Sequence, residues 1–157
     1  MPEAGSAVPL TPVAETPQRH VAPATATWRR SCIAVSLMSG PTPIARPLRV
    51  AFVGAGRMAR LHLHALRRVR TPHVVAAVCD TSEAAARGLA ESAGSVPYGS
   101  LAKLLREAKP DVVHVCTPAG THVAPARQAL LAGAHVYVEK PFVEVAAEAR
   151  ELLALAR

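Results

Sequence analysis

The most constraining feature of this sequence is a short apolar run that ends on glycine. "LRVAFVGAGRMARLH" passes from an unbroken apolar stretch, Val50 to Val53, into Gly54-x-Gly56-x-x-Ala59 and then into helical spacing. A strand that is apolar at successive positions has no polar face, so it must be covered above and below. The chain supplies the covers in alternation. "HVVAAVCD" reads as a second strand and "SEAAARGLAESAG" as a helix, with Thr81 or Ser82 as N-cap and Gly94 as its stop. "SVPY" is a weak strand, and Ser100 caps the helix "LAKLLREA". "DVVHVCTP" is a strong strand ended by Pro118, and "HVAPARQALLAG" is a helix with Pro125 in its first turn and Gly133 past its end. "AHVYVE" is another strand and "VAAEARELLALAR" a last helix. The order βαβαβαβαβα implies right-handed crossovers and an α/β fold with a doubly wound parallel sheet of about five strands.

Composition fits that scheme. A chain of 157 residues, 50% hydrophobic, suits one ordinary domain with a real core. Aromatics make up 3%, so the core must be built from Ala, Val and Leu. In the first helix, spacing turns Met58, Leu61, Ala65, Leu66 and Val69 toward one side. Residues 1–46 differ in texture. They are rich in Pro, Ala, Thr and Ser and too poor in large apolar side chains to offset ordering entropy, so they are expected to form a disordered leader before a domain at 47–157. Arg29-Arg30 precedes a short apolar run, faintly like a twin-arginine export signal. The run is broken by Ser36 and has no clear cleavage site, so a cytoplasmic location is expected. Met38 is an alternative start.

Several function classes are disfavoured. The net charge of +7 is diffuse, and its densest group, Arg57, Arg60, Arg67, Arg68 and Arg70, has no interleaved aromatics. That is a solvated helix face rather than a base-stacking platform, which argues against nucleic-acid binding and a DNA-associated redox regulator. Cys32, Cys79 and Cys116 form no CxxC pair, and their odd number suits a reducing compartment. Seven histidines show no ligand spacing, and His62 and His64 point to different sides of a helix, so no metal site is expected. No stretch of about 20 apolar residues exists to span a membrane.

The glycine motif carries the chemistry. Gly54 permits the tight turn, Gly56 lets a pyrophosphate approach the backbone, and Ala59 lets helix and strand pack closely. The helix that begins at Arg57 and Met58 then offers free N–H groups and a positive dipole end to the phosphates. Asp80 ends the second strand at the expected interval of about 20 residues, where a carboxylate accepts from ribose hydroxyls and repels a 2′-phosphate. That favours NAD over NADP. The other readings are a packing turn and an N-cap aspartate.

With Gly54, Asp80, "CTPAGTH" and "EKP" in this order, the chain resembles the N-terminal Rossmann domain of the Gfo/Idh/MocA oxidoreductases, the glucose–fructose oxidoreductase and inositol dehydrogenase family. The likeness covers about residues 47–157. It implies sheet order 3-2-1-4-5 and hydride transfer between a nicotinamide dinucleotide and a sugar, polyol or related hydroxyl compound. It implies that Lys140, at the end of the fifth strand, lies beside the nicotinamide and the substrate hydroxyl as the catalytic residue. Pro141 fixes the backbone that aims it, and the peptide between them is a candidate cis bond. Glu139 orients the lysine or the cofactor. The resemblance also places Cys116, Thr117, Pro118 and His122 along the cofactor. Arg57 lies along the phosphates or is solvated; His122 fixes the loop or faces the cofactor. His62 fits the family pattern, but its helical position suggests structure more than chemistry. Where the family usually has Asn after the proline, this chain has Ala119.

The family's second α+β domain, with its substrate pocket and proton acceptor, and the sixth Rossmann strand have no counterpart here. The chain alone is therefore expected to be inactive, to take a hydroxylated substrate only with a second domain, and to self-associate through an uncovered sheet edge. The alternative is a stand-alone NAD(H)-binding module or redox sensor acting with a partner chain.

Overall fold

The computed structural model describes residues 46–157. The expected leader at 1–46, with its export-like arginines, Cys32 and Met38, lies outside the described residues except for Arg46. That side chain forks onto Asp111, with both bonds at 2.7 Å.

Five strands, β1 (Leu48–Val53), β2 (His73–Cys79), β3 (Val96–Tyr98), β4 (Val112–Val115) and β5 (His135–Val138), form one parallel sheet in the order β3-β2-β1-β4-β5. Among the described residues five α-helices alternate with them: α1 (Arg57–Leu66), α2 (Glu83–Ala93), α3 (Leu101–Ala108), α4 (Val123–Leu131) and α5 (Ala146–Leu155). The Rossmann-type order expected from the motifs is thus the observed one.

Each sheet face has its own core. One gathers Ala51, Val53, Val113 and Val115 with Leu104, Ala126, Ala129 and Leu152 of the helices. The other gathers Val50, Phe52 and Val78 with Ala59, Leu63, Ala86, Leu89 and Ala90. Alanine faces strand at many of these contacts because a short side chain brings helix and sheet together. The larger residues fill what remains. Fully burying Leu89 or Leu104 stabilises by about 1.5–3 kcal/mol each, and truncation to Ala would cost about 2–5 kcal/mol.

Local chemistry sets the helix ends. Ser82 Oγ accepts from the Ala85 N–H and Ser100 Oγ from the Lys103 N–H, so each hydroxyl satisfies an orphan donor. Between the two N-cap candidates for α2, the cap is therefore Ser82. Gly94, at φ 64°, ends the same helix in the left-handed conformation.

The expected inward face of α1 needs correction. Leu61 is 53% exposed, and Ala65 and Val69 are exposed too. The residues against the sheet are Ala59 and Leu63, flanked by half-buried Met58 and Leu66. The close approach of Ala59 sets the helix's rotation, and 3.6-residue periodicity then brings round 63 and 66 rather than 61 and 65. Val69 lies beyond the last helical turn.

Candidate functional site

The backbone ladders run to the C-terminal edge of the sheet, and the site begins where they stop. Gly54 N–H donates to Cys79 O at 2.8 Å, and Cys116 N–H to Val53 O at 2.7 Å. The turn after β1 is thus pinned between its two neighbours. Gly54 has φ 89°, and a Cβ there would stand 2.7 Å from Cys116 O and 2.9 Å from Thr117 N. Only glycine fits. Gly56 differs, because a Cβ on it would meet nothing within 4 Å. It projects into open space at the head of α1, and it provides no side-chain cap. The first turn of α1 has no acidic residue either, so the positive end of the helix dipole is not neutralised from within.

Asp80 follows β2 and faces this turn. Its Oδ2 accepts the Ala55 N–H at 2.7 Å, and its Oδ1 accepts the Ser82 N–H at 2.8 Å. The carboxylate therefore braces the glycine loop and the start of α2 together. Oδ1 also takes the Thr81 hydroxyl at 3.5 Å, and Oδ2 keeps a lone pair for a further donor.

On the β4 side, Cys116 is buried, and its thiol is pushed up to about 12, by burial first and the Glu139 charge second. Its side chain belongs to the core beneath the site. Thr117, Pro118 and the 3₁₀ turn Ala119–Thr121 form the loop above it. His122 is 1% exposed. Its Nε2 lies 2.8 Å from Thr117 O and its Nδ1 2.9 Å from Pro141 O. Both partners can only accept, so the ring donates to both at once only when doubly protonated. The ring stands between the loop after β4 and the loop after β5.

Lys140 and Glu139 follow β5. The Glu139 N–H completes the ladder to Val115 O at 3.0 Å, Lys140 is exposed, and the Lys140–Pro141 peptide is cis. Glu139 Oε1 accepts from His62 Nε2 at 2.7 Å. Burial opposes ionisation of this carboxyl. Hydrogen bonds from His62 and the Lys140 N–H, with the positive charges of both residues, outweigh burial and hold it below its ordinary range. The His62 contact was the part least legible in sequence. Residues 62 and 139 are 77 positions apart in the chain, and only the neighbouring "EKP" hinted that the carboxylate had a directed role. Arg57 is exposed at the start of α1, and Met58 packs half-buried against the core.

The family model for the oxidoreductase family with an NAD-binding Rossmann fold, Gfo/Idh/MocA, matches residues 48–157. The chain belongs to the Gfo/Idh/MocA oxidoreductases. Within this family it is 38% identical over 112 residues to D-glucoside 3-dehydrogenase of Escherichia coli (strain K12), a match covering 71% of this chain and 32% of that protein. It is 33% identical over 108 residues to inositol 2-dehydrogenase of Leifsonia xyli subsp. xyli, covering 69% and 32%. Among solved structures, the WlbA dehydrogenase from Chromobacterium violaceum, in complex with NADH and UDP-GlcNAcA, superposes with a TM-score of 0.69 at 31% identity, covering 76% of this chain and 35% of that one. KijD10, a 3-ketoreductase from Actinomadura kijaniata in complex with NADP, gives a TM-score of 0.66 at 33% identity, covering 71% and 36%. The chain thus spans about a third of the length of the Gfo/Idh/MocA relatives it matches. Among the described residues no helix is long and apolar enough to cross a membrane.

Proposed function

We propose that this chain is the cofactor-holding part of an NAD-dependent dehydrogenase that oxidises or reduces a sugar, polyol or related hydroxyl compound. The observation that carries the reading is one of convergence. The open space at Gly56, the Asp80 carboxylate and the Lys140 side chain stand at the C-terminal ends of β1, β2 and β5, along one edge of the sheet. Ligands of open α/β sheets bind at that edge. The residues fit a dinucleotide. Gly56 leaves room for a pyrophosphate, the uncapped start of α1 faces it, and Asp80 is an acceptor for ribose hydroxyls. The bound nicotinamide would supply the hydride acceptor or donor.

In this reading Gly54, Gly56, Ala59 and the first turn at Arg57 and Met58 form the phosphate shelf. Thr117, Pro118 and His122 shape the wall after β4, and Lys140 hydrogen-bonds the reacting hydroxyl. The Asp80 charge disfavours the 2′-phosphate of NADP. The relatives, which include a D-glucoside 3-dehydrogenase and an inositol 2-dehydrogenase, support the substrate class.

The test is thermal unfolding with and without saturating NAD or NADP. Ligand at 100 times its Kd stabilises by about 2.7 kcal/mol, a rise of several degrees for a domain of this size. A larger shift with NAD than with NADP is expected, and no shift with either would sink the reading. In an active enzyme in which this chain is joined to a substrate domain, Lys140→Ala should cut turnover of a sugar or polyol by about 10²–10⁴-fold while NAD affinity persists.

A second reading, a binding module that works with a partner chain, draws on β5. That strand is a sheet edge, with Tyr137 53% exposed on it. Sedimentation of the NAD-bound chain separates the readings: a monodisperse species that binds NAD would favour the module, whereas concentration-dependent self-association through that edge would favour the first reading.

A further inference from the structure

Both neighbours of Lys140 in the chain are held by an imidazole. Pro141 O is within 2.9 Å of His122 Nδ1. Glu139 offers one oxygen to His62 Nε2 at 2.7 Å and the other to the Lys140 backbone N–H at 3.2 Å. We propose that His62 is a positioning residue: through the Glu139 carboxylate it fixes the backbone from which Lys140 projects, and it ties that lysine to the helix at the phosphate end of the site. The inference rests on the reading of Lys140 as the residue that meets the reacting hydroxyl.

Topology shows why a side chain is needed. β1, which leads into α1, does not pair with β5, because β4 lies between them. The glycine turn and Lys140 are therefore joined by backbone ladders only through β4, with no direct pairing between their strands. His62 bridges the gap by crossing over β4. Its Nδ1 is 3.1 Å from His114 Nδ1 and 3.6 Å from Cys116 Sγ. Its ring stands edge-on to both His114 and Tyr137, with centroids 5.3 and 5.1 Å away, while those two rings stack on each other. The imidazole is thus packed in one orientation, and the His62 and Glu139 side chains are only 13% and 11% exposed.

A shielded pair of this kind is a poor device for stability alone, because desolvation offsets most of its attraction. Its use is direction. A carboxylate bonded at both oxygens cannot rotate, and its second oxygen acts on the one backbone N–H that belongs to Lys140. The carboxylate meets His62 from α1 and the Lys140 N–H, with Cys116, just after β4, also feeling its charge, while His114 from β4 and Tyr137 from β5 pack on the His62 ring. His114 is held neutral, pushed down to about 4 by burial and then by His62, so it adds no competing charge at neutral pH.

The experiment is NMR on the ¹⁵N-labelled 157-residue chain at neutral pH, in parallel with NAD thermal shifts. In the wild-type chain His62 Nε2 should carry a proton with the deshielded signal of a bond to carboxylate. A bare Nε2 would overturn the proposal without any variant. His62→Ala should move the Lys140 amide signal away from its wild-type position and leave the NAD shift in place. His62→Gln, whose side-chain N–H can reach the same carboxylate, should move it back. A Lys140 signal unchanged in His62→Ala, even with lowered stability, would mean that His62 only packs the core and would overturn the proposal. An absent NAD shift in the wild type would strike the dinucleotide reading instead, since the Lys140 comparison does not depend on it.

Discussion

Asp80 Oδ2 accepts the Ala55 backbone N–H across 2.7 Å, so the carboxylate proposed to meet the ribose also braces the glycine turn. Two substitutions separate these duties. Asp80→Asn keeps an oxygen for Ala55 and removes the charge. It should narrow the gap between the NAD and NADP thermal shifts, with a modest loss of stability because the Ser82 N–H then faces an amide NH2 in place of Oδ1. Asp80→Ala also leaves the Ala55 donor without its acceptor and should cost about 1–3 kcal/mol, read by urea unfolding. Equal NAD and NADP responses in the wild type and Asp80→Asn would remove the specificity role.

Gly54 and Gly56 should fail in different ways when changed to Ala. At position 54 the new Cβ would press on Cys116 O in a backbone conformation that L side chains rarely adopt. Strain and overpacking each cost about 1–3 kcal/mol, so Gly54→Ala should lower Tm sharply. At position 56 the new methyl meets no protein atom. Gly56→Ala should keep its Tm within a few degrees and lose about tenfold or more in NAD affinity, measured by calorimetry.

His122→Ala should loosen the junction between the two loops. It leaves Thr117 O and Pro141 O without the ring that now serves both. The expected cost is about 1–3 kcal/mol for each carbonyl that finds no water, and urea unfolding would report it. Faster hydrogen exchange should be confined to the segments after β4 and β5. An unchanged exchange pattern there would mean that the ring does not join the loops.

Stability should fall with acid in two windows. The folded pKa of His114 is pushed from 6.5 to about 4, by burial first and the His62 charge second. Between those values the unfolded chain binds a proton that the folded chain refuses. Stability present above about 6.5 is therefore lost as pH falls toward 4. Asp111 acts lower. The Arg46 fork, then the Arg49 N–H, hold its pKa at about 2 against an ordinary 3.8, so its contribution is lost as pH falls from about 4 to 2. In a series of Tm against pH, His114→Phe should flatten the first decline, and Arg46→Ala should shrink the second. A wild-type Tm unchanged between 6.5 and 4 would contradict the first assignment.

The sequence by itself determined the alternation of elements, the glycine turn and the acid after β2. These are local: they depend on apolar runs, small residues and caps separated by a few positions, or on a spacing that one βαβ unit preserves. The rotation of α1 was not legible, because Met58, Leu61 and Leu66 are all apolar and only the seating of Ala59 on the sheet chooses among faces. The two carbonyl contacts of the His122 ring, to Thr117 O and Pro141 O, and the reach of His62 over β4 to Glu139, were set by tertiary structure. Each joins segments whose separation in the chain carries no pattern. They meet because parallel strands deliver their C-terminal ends to one edge, where the order β3-β2-β1-β4-β5 makes neighbours of distant loops.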